Sequence, residues 1–440
     1  MASAPSPGPT AAARAGRMPA SPPAADPATL PPTHWPAVLA ATATGEAVAI
    51  NVGKVPLALP LMREELGLSL LQAAWVSSML TTLALMAALG FGLMAGRVGA
   101  LRVVLVGLGL SAVASLAASS VGAGDFGRLL LTRFVEGAGF LAVVVAAPTL
   151  ISTASASSDR RFALVVWSTY MPAGAGLAMA LSPLLLPGLG WRGLWALTAL
   201  ALTAAAAAAW GQRMHYSAAG RHAVVTRWRP TLAVLRQPLP WLLALAFGPW
   251  ALQHFALIVW LPTFLKEQRG LSSGWVALLS CVMLLACVPG NLLGGALVQR
   301  GLPRGRLIAV AHTLGGLCAL GYFSDALPDG LRYGLCVALS FIGGVIPAAV
   351  LSSSAVLASR PQQISALQGL MLQGSQPGQF IGTPLIAALV AASGQWHSAR
   401  WASLGAALLG VLLRLLTWRA ESCARRANLT ANASRPRDAA

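Results

Sequence analysis

The chain has 440 residues, of which 56% are hydrophobic and only 10% are charged, and its mean hydropathy is +0.70. A soluble protein carries about a quarter charged residues, so the composition excludes a soluble globular fold. The formal net charge of +18 does not indicate nucleic-acid binding. The basic residues stand singly or in short groups between apolar blocks, where a membrane protein keeps them.

The apolar residues form blocks of about 20, the length that crosses a bilayer as a helix. Residues 1–33 precede the first block. They are rich in Pro, Ala and Ser, and we predict a disordered tail there rather than a signal peptide. The blocks predict twelve transmembrane helices, called spans 1 to 12 below: 35–58, 71–94, 101–121, 127–152, 162–186, 193–210, 240–264, 273–298, 306–324, 331–357, 364–392 and 398–418.

The longest polar gap between spans predicts the domain division. Residues 211–239 hold five Arg residues, which favours a cytoplasmic linker between two six-helix bundles, 34–210 and 240–418, with a cytoplasmic tail at 419–440. Of the 30 basic residues, 20 lie in the tails and in the gaps after the even-numbered spans, and seven lie in the opposite gaps. Basic residues concentrate on the cytoplasmic side. We therefore expect a multi-pass protein of the bacterial inner membrane with both termini in the cytoplasm.

The two groups of six spans repeat each other. "LPLMREELGLS" at 59–69 matches "LPTFLKEQRGLS" at 261–272, and the Gly-Leu-Ser of the two strings is 203 residues apart. Trp191 and Trp396 recur at an offset of 205. A unit with an even number of spans returns to the same side of the membrane. The duplication therefore predicts two parallel six-helix repeats related by an axis along the membrane normal, an arrangement found in secondary transporters.

Two short motifs connect this pattern with a family. The segment after span 2 and its repeat after span 8 resemble G-x-x-x-D-R-x-G-R-R, although Gly96 and Gln299 occupy the Asp position. The second motif, R-x-x-x-G-x-G, lies in "LTRFVEGAGF" (131–140), where Glu136 replaces the usual Gln. The matching residues are Gly92, Arg97, Gly99, Arg102, Gly295 and Arg300 in the first motif and Arg133, Gly137 and Gly139 in the second.

On these motifs the chain resembles the major facilitator superfamily. The strings "WSTYMPAGAG" (167–176), "GWRGLW" (190–195) and "GSQPGQFIG" (374–382) are similar to the cyanate and nitroimidazole permease branch. The resemblance implies an all-α polytopic fold of twelve helices in two bundles, with spans 1 and 4 lining a central cavity. It also implies that the first motif contributes to a gate, with Gly92, Arg97, Arg102, Gly295 and Arg300 in that role.

Four charged residues lie well inside the predicted spans. Glu46 and Lys54 are in span 1, and Arg133 and Glu136 are in span 4. A charge at a helix centre costs roughly 2.5–3.5 kcal/mol on insertion scales, so each of them calls for a function or a partner. Lys54 and Arg133 are predicted at similar depth. Arg133 and Glu136 are three residues apart, so a purely structural ion pair within one helix is an alternative to a role in transport.

The second half offers neutral polar groups where the first offers charges. At an offset of 203, Asn51 falls on His254, while Lys54 falls on Leu257 and Arg133 on Cys336. We expect Arg133 to face the space between the halves and bind substrate, and Glu46 and Glu136 to carry protons. The predicted substrate-binding residues are Arg133, Lys54, Asn51, His254, Gln373 and Gln376.

The sequence thus predicts a secondary transporter that moves a small anionic solute by alternating access, driven by protons because a buried carboxyl group can titrate near neutral pH. A drug or metabolite efflux antiporter on the same scaffold is one alternative. A membrane receptor or sensor without transport is another. The pattern of nucleophile, base and orienting residue typical of an enzyme is missing. We expect a monomer in the lipid bilayer that needs no metal, no cofactor and no nucleic acid.

Overall fold

The computed structural model describes residues 32–156, 158–216, 236–324, 326–357 and 361–433. Within these ranges the secondary structure is entirely helical, as predicted. The helices are α1 (Trp35–Leu66), α2 (Leu70–Ser78), α3 (Thr82–Val98), α4 (Ala100–Ser119), α5 (Phe126–Ala154), α6 (Arg160–Ser168), α7 (Tyr170–Gly211), α8 (Arg213–Tyr216), α9 (Pro238–Glu267), α10 (Ser273–Leu285), α11 (Cys287–Gln299), α12 (Arg304–Tyr322), α13 (Asp329–Gly343), α14 (Val345–Leu351), α15 (Ser353–Leu357), α16 (Pro361–Ser393) and α17 (Ala399–Ala433).

Each predicted span coincides with one helix or with consecutive helices. Eight helical ranges are long and apolar enough to cross a membrane by length and composition, and one of them, Phe162–Gly211, contains both span 5 and span 6. Spans 1, 9 and 11 are not among the eight. Charged or polar residues lower their hydropathy: Glu46 and Lys54 in span 1, His312 in span 9 and four glutamines in span 11.

Two boundaries differ from the sequence prediction, and two segments lie outside the described residues. The last helix continues to Ala433, so residues 419–433, predicted as a tail, extend span 12. Spans 5 and 6 meet with almost no connecting loop, at Gly190, whose φ of 62° interrupts the helix. Most of the predicted tail (1–31) and most of the predicted linker (217–235) belong to the part of the chain that is not described.

The duplication is visible in the backbone. Six of the seven described glycines with positive φ form pairs between the halves, each pair 202 to 204 residues apart: Gly67 with Gly270, Gly99 with Gly301, and Gly190 with Gly394. Positive φ is a conformation that glycine adopts without steric cost. Each half therefore turns in the same way after its first, second and fifth spans, which confirms the two parallel repeats.

Each half packs around its own first helix. In the N-terminal half, α1 lies against α7 and α5, and in the C-terminal half α9 lies against α16 and α17. The halves meet where α16 packs on α2 and α3, where α10 packs on α7, and where α1 packs on α9. Span 1 is thus beside span 4, as predicted. We call the end of the molecule where α1 begins the terminal side, and the opposite end, where α1 ends, the far side.

Buried apolar clusters join the halves at the far side and do not join them at the terminal side, over the residues described. At the far side, Leu59 of α1 shares a buried cluster with Trp260 of α9 and Ala387 of α16. At the terminal side, the buried cluster around Val38 contains only residues of the N-terminal half, and the cluster around Phe247 contains only residues of the C-terminal half. We interpret this distribution of buried clusters as a molecule that is closed at the far side and open at the terminal side.

An ion pair spans the halves at the closed end. Nη1 of Arg63, in the last turn of α1, lies 2.8 Å from Oε1 of Glu267, the last residue of α9. Both side chains are partly exposed, 27% and 39%. The pair therefore sits at the rim of the contact, where water screens it.

Candidate functional site

Three of the four intramembrane charges form one buried cluster, which we call the triad: Lys54, Arg133 and Glu136. Nζ of Lys54 lies 2.8 Å from Oε1 of Glu136, and Nη1 of Arg133 forms an ion pair with Oε2 of the same carboxylate. The side chains of Lys54 and Glu136 are 0% exposed and that of Arg133 is 1% exposed. Two basic side chains thus share one carboxylate, so the triad has a formal charge of one positive unit.

Arg133 is held in place by hydrogen bonds from all three of its guanidinium nitrogens. Its Nε donates to the Val76 carbonyl oxygen and its Nη2 to the Asn51 carbonyl oxygen, both at 3.0 Å, while Nη1 bonds to Glu136. These partners all belong to the N-terminal half. The guanidinium group therefore points into that bundle and does not border the open space between the halves, where the sequence analysis expected it.

Lys54 has a less constrained environment. Besides Glu136, its ammonium group donates to Ser115 Oγ of α4 at 2.8 Å and lies 4.3 Å from the ring centre of Trp195. Ser115 in turn donates to the Trp195 carbonyl oxygen at 3.1 Å. A lysine ammonium is a compact charge on a flexible stem, so Lys54 can exchange partners more readily than Arg133, which is held by three partners.

Asn51 adds an unused polar group beside the triad. Its carbonyl oxygen accepts from Arg133, but both atoms of its side-chain amide are buried and have no hydrogen-bond partner among the described residues. A buried amide without partners costs free energy. The fully buried Asn51 side chain is therefore a group that a ligand's polar atoms can satisfy.

Two glycines let α5 approach its neighbours closely enough to form the triad. A Cβ atom at Gly137 would overlap with the carbonyl oxygen of Leu80, and one at Gly139 would overlap with the carbonyl oxygen of Gly107 on α4. This close contact allows Ser111 of α4 to donate to the carbonyl oxygen of Glu136 at 3.2 Å. The R-x-x-x-G-x-G spacing thus combines the charge with the small residues that make room for it.

Glu46 stands apart from the triad. It is half-buried on α1, and no hydrogen bond or ion pair of its carboxylate occurs among the described contacts. Ala43, Glu46 and Ile50 are less buried than their neighbours, and their spacing places them on one face of α1. Between Asn51 and Pro56 the helix is buried throughout. The accessible face of α1 therefore ends just before the triad, and Glu46 is the charge on that face.

The predicted residues of the C-terminal half do not reach the triad in this conformation. Nε2 of His254 lies 2.9 Å from Ser340 Oγ, and its ring stacks on Trp250. Nε2 of Gln373 donates across the halves to the carbonyl oxygen of Leu85 at 3.0 Å. Gln376 bonds within its own helix, to Leu372 and Ser375. Of the predicted binding set, the structure brings together Arg133, Lys54 and Asn51 only.

The residues assigned to the gating motif lie at corresponding helix ends of the two halves. Gly92 and Arg97 are in α3, and Gly295 is in α11; Arg300 follows α11 directly and is exposed, as is Arg102 at the start of α4. The side chains at positions 92–97 are outside the described set. No ion pair of Arg102 or Arg300 occurs among the contacts that the structure does describe.

Sequence reasoning missed several residues of this site. Ser111 and Ser115 could have been found from the sequence, because they are four residues apart in an apolar span and so share a helix face. Trp195 and the Val76 carbonyl oxygen could not have been predicted from the sequence, since they become partners only through packing between helices.

A further set of polar contacts lies at the far side. Trp191 Nε1 donates to Glu65 Oε2 at 2.8 Å, and Arg192 forms an ion pair with the same carboxylate.

Comparison with known proteins places this architecture in a family. The family model described as Major Facilitator Superfamily matches residues 42–382. Among solved structures, a bacterial homolog of the human lysosomal transporter Spinster, in an inward-facing and occupied conformation, aligns with a TM-score of 0.72 over 88% of this chain and 96% of that chain, at 15% identity. Its inward-facing, unoccupied form aligns with a TM-score of 0.70, also at 15% identity, over 87% of this chain and 96% of that one. At these identities the likeness concerns the fold alone.

Two curated proteins are similar over parts of the sequence. A probable sulfoacetate transporter of Cupriavidus necator is 27% identical over 271 residues, which are 56% of this chain and 60% of that protein. A methylenomycin A resistance protein of Streptomyces coelicolor is 28% identical over 225 residues, or 50% of this chain and 45% of that protein. The matches thus span about half of these relatives' length.

Proposed function

Because the chain belongs to the Major Facilitator Superfamily, we propose that it is a secondary active transporter that moves a small anionic solute across the bacterial inner membrane by alternating access. The two halves rock about a site near the membrane midplane. In this proposal the two bundles are residues 34–210 and 240–418, and the last helix continues beyond the second bundle to Ala433. Protons are the proposed coupling ion.

The observation that carries the proposal is the formal positive charge of the triad. Two cations share the single carboxylate of Glu136, and all three side chains are buried. A net charge in a low-dielectric interior is costly unless a counter-charge approaches it. An anion that enters from the open terminal side supplies this counter-charge and is attracted over several ångströms, because the surroundings screen weakly.

The geometry favours Lys54 as the residue that contacts the solute. Arg133 is tied to two backbone carbonyl groups and to Glu136, so it holds the carboxylate in position. Lys54 can leave that carboxylate without breaking any bond of Arg133. The unpartnered amide of Asn51 then provides a second contact for the anion. In this proposal Arg133 acts on the solute through Glu136, and His254, Gln373 and Gln376 complete the site when the halves close over it.

Glu46 is the proposed proton carrier. It lies on the accessible face of α1, about 12 Å from Lys54 along the helix at 1.5 Å per residue, and its carboxylate lacks a described partner. Protonation removes its charge, which allows this face of α1 to lose contact with water when the halves close. Glu136, which is already paired with two cations, is less suited to this role.

The charge distribution supports an inward-open state. If the terminal side is cytoplasmic, as the predominance of basic residues there predicts, the open side of the structure faces the cytosol. The relative named for sulfoacetate, a molecule with a carboxylate and a sulfonate group, supports an anionic solute. The relative named for methylenomycin resistance favours the alternative of an efflux antiporter.

Counterflow in proteoliposomes tests the proposal. Vesicles loaded with an unlabelled small dianion such as sulfoacetate should accumulate the labelled compound, and neutral analogues should not compete. Lys54→Met should abolish this exchange. Lys266→Met, which removes a positive charge from an exposed position, should leave it intact. Counterflow of hydrophobic drugs but not of anions would establish the efflux alternative, and anion exchange by Lys54→Met would remove the triad from solute binding.

A further inference from the structure

An internal space lies in the C-terminal bundle, apart from the triad. It is a cavity of about 370 Å³ at the far side, within the range that small-molecule sites occupy. Its wall is largely aromatic and aliphatic. Trp260, Phe264, Phe323, Tyr333 and Trp396 form the aromatic part of the wall.

The cavity occupies the position that the triad occupies in the other half. Leu257, Leu279 and Cys336 line it, and each is 203 residues after a residue of the triad or its contacts: Lys54, Val76 and Arg133. Long charged side chains fill the bundle in the first half. Their smaller, uncharged counterparts leave space in the second half. We attribute the cavity to this divergence between the repeats, and all of its lining residues belong to the C-terminal half.

The cavity has a polar floor. Gln253 lines it and is 5% exposed, and its Oε1 atom is buried without a hydrogen-bond partner among the described residues. An unsatisfied buried acceptor is costly. A ligand that donates a hydrogen bond at this depth removes that cost.

The mouth of the cavity is cationic. Arg269 and Arg332 both approach Asp329, at 3.0 Å and 3.7 Å, so the rim has two positive charges and one negative charge. Both guanidinium groups lie within 6 Å of the Phe264 ring, at 5.5 Å and 5.9 Å from its centre. Phe264 is eleven residues after Gln253, which corresponds to about 16 Å of helix. The floor and the rim are therefore separated by the length of an extended small molecule.

We propose that this cavity is a binding site for an elongated aromatic carboxylate with a hydrogen-bond donor at its other end. The carboxylate pairs with the rim arginines, which suit its planar geometry. The aromatic body packs against Trp260, Phe264 and Trp396, and the donor bonds to Gln253. The site differs from the proposed transport site because it lies in the other half of the molecule and takes a larger ligand.

Three compounds separate the parts of this proposal: 4′-hydroxybiphenyl-4-carboxylate, biphenyl-4-carboxylate and 4-phenylphenol. Equilibrium dialysis against the full-length protein in lipid nanodiscs, with empty nanodiscs subtracted, should rank the first compound tightest. Loss of the donor or of the anion should each weaken binding about tenfold. Equal affinities for the three compounds would overturn the proposal, because they would indicate partition into any apolar space.

Variants locate the site. Gln253→Leu should remove the preference for the hydroxyl compound while biphenyl-4-carboxylate still binds. Arg269→Gln should remove the preference for the anions, and Lys266→Gln, a charge change three residues away, should not. Cys336→Phe, which fills the cavity, should abolish binding of all three compounds. Unchanged preferences in Gln253→Leu and Arg269→Gln would refute the site. None of these measurements depends on transport, so their outcome is independent of the proposed function.

Discussion

The ammonium nitrogen of Lys54 lies 2.8 Å from a carboxylate oxygen of Glu136, 82 residues away in the chain and on a different helix. Arg133 holds the other oxygen of the same carboxylate. The three residues are therefore one electrostatic unit, and substitutions in it should not be additive. A double change of Arg133 and Glu136, which would test a simple pair, leaves Lys54 buried alone, so the experiments must vary Lys54 as well.

Removal of the shared carboxylate should destabilise the protein strongly. Glu136→Gln leaves two buried cations without a counter-charge, and breaking a buried ion pair in this way costs about 3–5 kcal/mol. We expect a marked fall in the unfolding temperature of the purified protein. Adding Lys54→Met to this variant should restore part of the loss, since one buried cation is removed.

Glu64→Gln is the matched control, because Glu64 is exposed on α1 and its loss should leave the unfolding temperature within about a degree or two, in line with other surface substitutions. A Glu136→Gln protein that melts with the wild type would mean that the triad's charges are compensated by some other group.

Close packing of α5 should make Gly137 intolerant of a side chain. In Gly137→Ala the new methyl group meets the carbonyl oxygen of Leu80, so the helices must separate and the triad must lose its geometry. We expect lower expression and a lower unfolding temperature. The space around Gly109 is open, and Gly109→Ala should be neutral or slightly stabilising. Equal behaviour of the two variants would contradict the packing described here.

Glu46→Gln should separate coupling from binding. Glutamine keeps the size of the side chain but cannot exchange a proton, so the variant should fold, bind the solute and catalyse counterflow. It should lose accumulation driven by a pH gradient. Uptake measured with and without an imposed gradient in proteoliposomes decides the matter. If gradient-driven accumulation persists in Glu46→Gln, the proposed role passes to Glu136 or to another coupling ion.

The Arg63–Glu267 ion pair should bias the conformational equilibrium modestly. Its residues are partly exposed, so the pair contributes at most about 1 kcal/mol. Arg63→Gln should therefore open the far side a few-fold more often. In a cysteine-free background, a cysteine at Leu61, which packs against the far-side cluster, reports this opening through its rate of labelling by a membrane-impermeant maleimide.

A charge exchange provides the control for this experiment. Arg63→Glu combined with Glu267→Arg restores an ion pair of opposite polarity, and its labelling rate should return towards that of the unaltered pair. If Arg63→Gln does not change the labelling rate, the apolar contacts alone hold the far side closed.

The fold was predictable because the spans are local hydropathy signals and the repeat is visible as matching segments of the sequence. Gly67 and Gly270 are 203 residues apart, the offset of the matching segments, and both have positive φ in the structure. Continuation of the last helix to Ala433 was not predictable from hydropathy, because the extension is polar. Backbone hydrogen bonds can continue a helix whether its side chains are polar or apolar.

The site was predictable only in part. Helical spacing allowed the pairing of Arg133 with Glu136, and depth along the spans placed Lys54 at the same level. The carboxylate of Glu136 pairs with both cations only because α1 and α5 are rotated suitably about their axes. The sequence does not determine these rotations. The cavity of the second half was still harder to predict from the sequence. Replacement of Lys54 by Leu257 and of Arg133 by Cys336 was visible, but whether neighbouring side chains fill such a space is a matter of packing.

The triad also constrains how the chain is inserted during synthesis. Span 1 leaves the ribosome before span 4 exists, so Lys54 meets the membrane without Glu136, at a cost of roughly 2.5–3.5 kcal/mol for a charge at a helix centre. The cost disappears only when span 4 arrives with the partner. Spans 1 to 4 must therefore remain together at the insertion machinery, whereas the matching positions of the second half, Leu257, Cys336 and Leu339, allow its spans to enter lipid one at a time.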